Sequence, residues 1–206
     1  MIKNLVFDLG HVLIDIEPKR SLRAFAALVR PQTDTQLITA DGLLGGHSSQ
    51  LIDAYQVGQI TTEQFIATIR QYCREGVTDQ QIMDAWMAML LPFQERKRQL
   101  LKSLHEQHIP FFILSNINDS HVEWTRQNCP ELQWAEGLFF SNEMHLAKPD
   151  PRAYKNLIEN SGILPQETLY IDDLNANIEA GKALNFQCLT ATDDEAWIPV
   201  VEQLLK

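Results

Sequence analysis

Asp8 follows the apolar run Ile2-Lys3-Asn4-Leu5-Val6-Phe7 and opens the turn Leu9-Gly10-His11. A carboxylate delivered there faces a crevice, because open parallel sheets bind ligands at the carboxyl ends of their strands. Three later stretches repeat the pattern. Phe111-Phe112-Ile113-Leu114 runs into Ser115-Asn116, Leu169-Tyr170-Ile171 runs into Asp172-Asp173, and Lys148-Pro149 follows the apolar Leu138-Phe139-Phe140. Each alone has a plainer reading: Asp8 a turn former, Ser115 a helix cap, Lys148 a solvated charge, Asp172-Asp173 a turn. Together at successive strand ends they describe phosphoryl transfer. One carboxylate attacks phosphorus, a lysine and a divalent cation neutralise charge on the transferring group, and a hydroxyl with amide donors holds its oxygens. Carboxylates without a His or Cys cluster specify a hard, oxygen-seeking ion, best met by Mg²⁺, with Asp8, Asp173 and Asp172 as its suppliers.

The elements that must position these groups are legible in the hydrophobic periodicity. Five short apolar runs, the first around residues 2–7 and the others at 111–114, 138–140, 169–171 and 188–190, predict buried strands joined by helices. That alternation is the signature of an α/β, doubly wound parallel sheet, a Rossmann-like core. Between the first strand and the rest the texture is helical. Leu22-Phe25-Ala26-Leu28-Val29, Leu51-Ile52-Tyr55, Phe65-Ile66-Ile69-Tyr72 and Ile82-Trp86-Met89 predict four helices, with Thr61-Thr62-Glu63 and Thr78-Asp79 as start signals. The expected division is a core of residues 1–15 and 92–206 carrying an inserted helical cap at 16–91.

Composition narrows the partners. Seventeen Lys+Arg against 27 Asp+Glu give a formal charge of -10, which repels nucleic-acid backbones at long range yet leaves a small phosphate free to answer a local field. Three scattered cysteines read as free thiols in a reducing compartment. With no leader and no apolar stretch of membrane-spanning length, the expectation is a cytoplasmic protein without membrane or nucleic-acid partners. It is expected to act on a small phosphorylated metabolite as a monomer or weak homodimer.

Val6-Phe7-Asp8-Leu9-Gly10-His11-Val12-Leu13 resembles the first motif, hhhDxDGTL, of the haloacid dehalogenase superfamily. Ile113-Leu114-Ser115-Asn116 resembles the second motif and Ala147-Lys148-Pro149-Asp150-Pro151 the third. Ile171-Asp172-Asp173-Leu174-Asn175-Ala176-Asn177 resembles the fourth. The stretch from Tyr55 through Gly58 and Thr62 to Phe65 is similar to part of the superfamily's helical cap. The resemblance implies an aspartyl intermediate on Asp8, a transferring group bound by Ser115 and Asn116, and Lys148 paired with nucleophile and phosphate. It also implies metal ligation by Asp8, the Gly10 carbonyl and Asp173, with Asp172 and Asn177 in support. The DLGxVL form is similar to a bacterial branch that includes a phosphatase acting on alpha-glucose 1-phosphate, which makes a sugar phosphate the leading substrate class.

The chain departs from the superfamily at Gly10, where its phosphatases carry a second Asp that protonates the leaving group. Losing a general acid removes typically about 10²- to 10⁴-fold in rate. His11, at a position usually Gly, is one candidate replacement as well as a substrate contact; Asp15 matches a common acid of the family for which a turn or cap role is the plainer reading. His47, in the polar stretch Gly45-Gly46-His47-Ser48-Ser49-Gln50, is a second candidate substrate contact. Two other functions compete: a metal-independent haloacid dehalogenase-type hydrolase, and a catalytically weakened binding or regulatory module. The Asp172-Asp173 pair favours the metal-dependent phosphatase over the first, and retention of Asp8, Ser115, Lys148 and Asp173 together argues against the second.

Overall fold

The computed structural model describes residues 1–30, 50–192 and 195–204. In chain order the elements are β1 (Asn4–Phe7), α1 (Pro18–Ala26), α2 (Gln50–Gln56), α3 (Thr62–Arg70), α4 (Asp79–Met87), α5 (Glu95–Glu106), β2 (Phe111–Ser115) and α6 (Asp119–Asn128). They continue as β3 (Gly137–Phe140), α7 (Ser141–Met144), α8 (Pro151–Ser161), β4 (Thr168–Asp172), α9 (Asn175–Ala183), β5 (Gln187–Thr190) and α10 (Trp197–Leu204). The strands form a parallel sheet in the order β3-β2-β1-β4-β5, with Leu5 opposite both Phe111 and Leu169. All five expected strands are present within a residue or two of the apolar runs.

Because side chains alternate across a strand, each apolar run feeds both faces of the sheet. Leu5, Phe7, Phe111, Ile113 and Ile171 pack on one face beneath Leu101 and Leu104 of α5 and Ile198 and Val201 of α10. Val6, Phe112, Leu114 and Tyr170 pack on the other beneath Tyr154 and Leu157 of α8 and Ile178 of α9. Connections run outward from β1 on both sides, so the strand order reverses between β1 and β4, where a crevice must open at the carboxyl ends.

The helices between β1 and β2 have an apolar centre of their own, built on Phe25, Tyr55, Phe65, Ile69, Ile82 and Trp86. Capping boxes start α3 and α4: Thr61 exchanges hydrogen bonds with Gln64, and Thr78 with Gln81. The chain enters and leaves this block through two segments lying side by side. Glu17 N donates to Met89 O at 2.8 Å, Leu91 N donates to Asp15 O at 3.0 Å, and Ile16 bridges Leu90 between them. The block rests on the ends of β2 and β3. Ser141 Oγ donates to Gln56 O at 2.5 Å, His145 Nδ1 meets Val57 O at 2.9 Å, and Ser120 N donates to Tyr55 Oη at 3.4 Å. Of the four tryptophans, Trp86 and Trp197 are buried, and Trp134 stacks on His105, so these three pack within the protein.

Candidate active site

Parallel pairing of β1 with β2 and β4 sets the ends of all three strands side by side. Asp8 N continues the ladder, donating to Ile171 O at 2.9 Å, so the first residue beyond β1 is still held by the sheet. The following turn closes on itself: His11 N donates to Ile14 O at 2.9 Å and Ile14 N to Leu9 O at 2.7 Å. Buried Leu9, Val12 and Leu13 anchor it in the core.

Lys148 Nζ stands between two acids, 2.9 Å from Asp8 Oδ1 and 2.6 Å from Asp172 Oδ2, and all three residues are buried. Leu9 N also donates to Asp8 Oδ1, at 2.7 Å, so one carboxylate oxygen is engaged and the plane of the group is set. Among the described residues no protein donor occupies Asp8 Oδ2 or the buried Ser115 hydroxyl.

Asn116 and Asp172 both bear on Lys148. The Asn116 carboxamide accepts from Lys148 N and donates to Lys148 O, both at 2.8 Å, which ties the end of β2 to the lysine loop. Lys148-Pro149 is a cis peptide. Asp172 accepts from Lys148 Nζ, the Tyr170 hydroxyl, Leu174 N and Asn177 Nδ2. Its lone pairs are taken up by protein donors. Tyr170 was not singled out from sequence; its i, i+2 spacing from Asp172 on one strand was the available signal.

Burial raises the Asp8 carboxyl to about 6 against the pull of Lys148, and the Asp172 charge adds to the rise. Burial works against the Lys148 ammonium, but Asp8 and Asp172 together outweigh it and hold its pKa above the ordinary value. Asp173, half-buried, is also raised, first by desolvation and then by Asp172. Carboxylate oxygens of Asp8, Asp172 and Asp173 lie within 4.8 Å of one another. Three acids share one ammonium, an excess of negative charge in a desolvated crevice that a small divalent cation would relieve. The donor set therefore fits Mg²⁺.

Gly10 lies in the turn two residues past Asp8. His11 is exposed with a left-handed φ of 56°, and its charge draws the Asp173 pKa down. Asp15 is neither a turn former nor a cap: its carboxylate pairs at 2.5 Å with Lys97, a lysine fully buried on α5. His47 and its glycine-rich surroundings lie outside the described residues. Beside Lys148 a cavity of about 510 Å³ opens between α2 and the strand ends, lined by Asp53, Gln56, Asn116, Lys148 and Asn175 among others. A larger hollow of about 610 Å³, walled by Asn4, Pro110, Glu136 and Gly162, lies at the amino ends of the strands, away from the acids.

The family model described as haloacid dehalogenase-like hydrolase matches residues 2–185. The chain belongs to that family. Within the haloacid dehalogenase-like (HAD) family, it is 26% identical to a D-ribitol-5-phosphate phosphatase of Bacteroides thetaiotaomicron, over 96% of this chain and 95% of the relative. It resembles the structure of a HAD family enzyme from the same organism in complex with magnesium and inorganic phosphate. There the TM-score is 0.84 with 31% identity, covering 97% of this chain and 99% of the other. A predicted HAD-like hydrolase from Porphyromonas gingivalis matches at TM-score 0.83 and 28% identity, over 100% and 98% of the two chains.

Proposed function

We propose that this chain is a HAD-type phosphatase that hydrolyses the monoester of a small phosphorylated metabolite, with Mg²⁺ as its cofactor and a sugar or polyol phosphate as its substrate. The observation that carries this reading is Lys148 bridging Asp8 and Asp172 beside Asp173. The relative that acts on ribitol 5-phosphate and the magnesium–phosphate complex of the similar structure support the substrate class and the ion.

Asp8 is the nucleophile. With a carboxyl pKa of about 6 it is largely ionised at neutral pH, and its contacts through Oδ1 hold it for attack. The carboxylate forms a bond to phosphorus as the ester oxygen departs with its electron pair, leaving an aspartyl phosphate. Water then attacks phosphorus, releasing inorganic phosphate and restoring Asp8. Lys148 and the Ser115 hydroxyl bind the phosphoryl oxygens, and Asn116 and Asp172 position Lys148. Asp8, the Gly10 carbonyl and Asp173 would hold Mg²⁺, which supplies positive charge against the transferring group. Asp53, Gln56 and Asn175 give the neighbouring cavity acceptors and donors suited to hydroxyl groups.

A panel of phosphate esters assayed with Mg²⁺ and with chelator tests the reading. Turnover that depends on the metal is the expected result. Release of halide from haloacids without metal would assign the dehalogenase chemistry instead, and inactivity across both panels would leave a binding module.

A further inference from the structure

The cavity beside Lys148 takes one wall from the helical block and the other from the strand ends. On the block's side, Asp53 and Gln56 stand three residues apart on α2, which puts them on one helix face, while Tyr55 between them is buried in the block's own apolar centre. That wall is tied to the sheet. Ser141 Oγ donates to Gln56 O at 2.5 Å and His145 Nδ1 meets Val57 O at 2.9 Å, both where α2 ends. Charge on the lining is sparse: Lys148 and Asp53 are the charged residues among those described, and Lys148 is already shared between Asp8 and Asp172. Residues 31–49, which run directly into α2, contain no lysine or arginine, and they add two acids, Asp34 and Asp41.

The consequence concerns the part of the ester that is not the phosphoryl group. Hydroxyls suit this wall, since a carboxylate accepts hydrogen bonds and the carboxamides of Gln56 and Asn175 both accept and donate. A second anion does not. A carboxylate or phosphate on the organic part would meet Asp53 in a crevice where, among the described lining residues, no cation is free to pair with it, so repulsion and lost hydration add. Solvent screens part of this at exposed Asp53, which keeps the expected contrast near about 10-fold. We propose that Asp53 is a specificity-determining residue that restricts turnover to phosphomonoesters whose organic part carries hydroxyls and no second anionic group. This rests on the phosphatase reading above and narrows its substrate class.

The test compares two esters of one chain length: glucitol 6-phosphate, which ends in a hydroxymethyl group, and 6-phosphogluconate, which ends in a carboxylate. Both are measured with Mg²⁺ as substrates and as competitive inhibitors of p-nitrophenyl phosphate hydrolysis, so that binding is read even where turnover is slow. Wild type should favour the alditol by about 10-fold in kcat/KM or Ki. Asp53→Asn, isosteric and at an exposed helical position, should bring the two to within about 3-fold, and Asp53→Lys should reverse the preference. Equal handling of the two esters by the wild type would overturn the role of Asp53. So would a preference that persists at full size in both variants, which would place the discrimination on another residue. A wild type inactive on every ester would overturn the phosphatase reading and this inference with it, a different result from an active enzyme that does not discriminate.

Discussion

Replacing Lys148 with alanine would leave Asp8, Asp172 and Asp173 facing one another with no ammonium among them. Transition-state charge would lose its fixed counter-ion, so kcat/KM for a phosphate ester should drop by at least ~10²-fold, while unchanged kinetics would return the lysine to a structural role. Asp8→Asn should keep the fold and abolish turnover, with phosphoryl transfer to the protein undetectable by intact-mass analysis after a quench. For Asp173→Asn the measurement is a thermal shift against Mg²⁺ concentration. Wild type should gain about 2.7 kcal/mol at a hundred times Kd, and the variant should need far more metal for the same gain. Asp8, Ser115, Lys148 and the Asp172-Asp173 pair could be picked out in the sequence because strand ends converge by topology. Their partners were hidden, since only the fold supplies them: the Lys148 backbone for Asn116, the Tyr170 hydroxyl and Leu174 N for Asp172.

Among the elements, the seam between α2 and α7 makes the sharpest demand on a single residue. Gly58 has φ +66°, and a Cβ there would stand 2.5 Å from the Asn142 carbonyl oxygen, a backbone atom with little room to retreat. Gly58→Ala should therefore destabilise the protein by about 1–3 kcal/mol, read as a lower denaturant midpoint with an unchanged slope. An unaltered midpoint would mean that the seam is loose. Here too the legible part was local. Gly58 announces a turn, and Thr61 and Thr78 announce helix starts, because both signals depend on neighbours a few residues away. The carbonyl that Gly58 must accommodate is 84 positions further along, and the Lys97 partner of Asp15 is 82 positions away, beyond any local pattern.

For the whole molecule, the block's docking predicts an acid-sensitive contact at His121. His121 on α6 is buried, stacks on Trp86 of α4 with ring centroids 5.0 Å apart, and among the described residues has no partner for Nε2. Burial pushes its pKa down from 6.5 to about 3. The unfolded chain takes up a proton below 6.5 that the fold refuses until about 3. The stability that His121 contributes is therefore full above pH 6.5 and declines as pH falls through that window, by up to ~1.4 kcal/mol per unit, while the raised Asp8 carboxyl works in the opposite direction between about 6 and 3.8. His121→Phe, which keeps a ring against Trp86, should flatten the acid side of a melting-temperature profile; a profile of unchanged steepness would assign the acid sensitivity elsewhere. Fold class was readable at this scale because five apolar runs alternate with helices. The side-by-side linkers were not, since Ile16 and Leu90 meet only after the helices between them have packed.

Those linkers give the architecture a doorway. Residues 15–17 and 89–91 pass in opposite directions through one opening, so the sheet's own pairing of Leu5 with Phe111 is closed by a loop whose ends already touch. Loop-closure entropy grows only logarithmically, about 0.6 kcal/mol for each doubling of length, so the amount of chain beyond the doorway hardly affects the balance of the sheet. The opening is thus a grafting point. Longer, shorter or unrelated inserts could be exchanged there while the acids and the lysine at the strand ends keep their places, and a new substrate range could arise without rebuilding the chemistry.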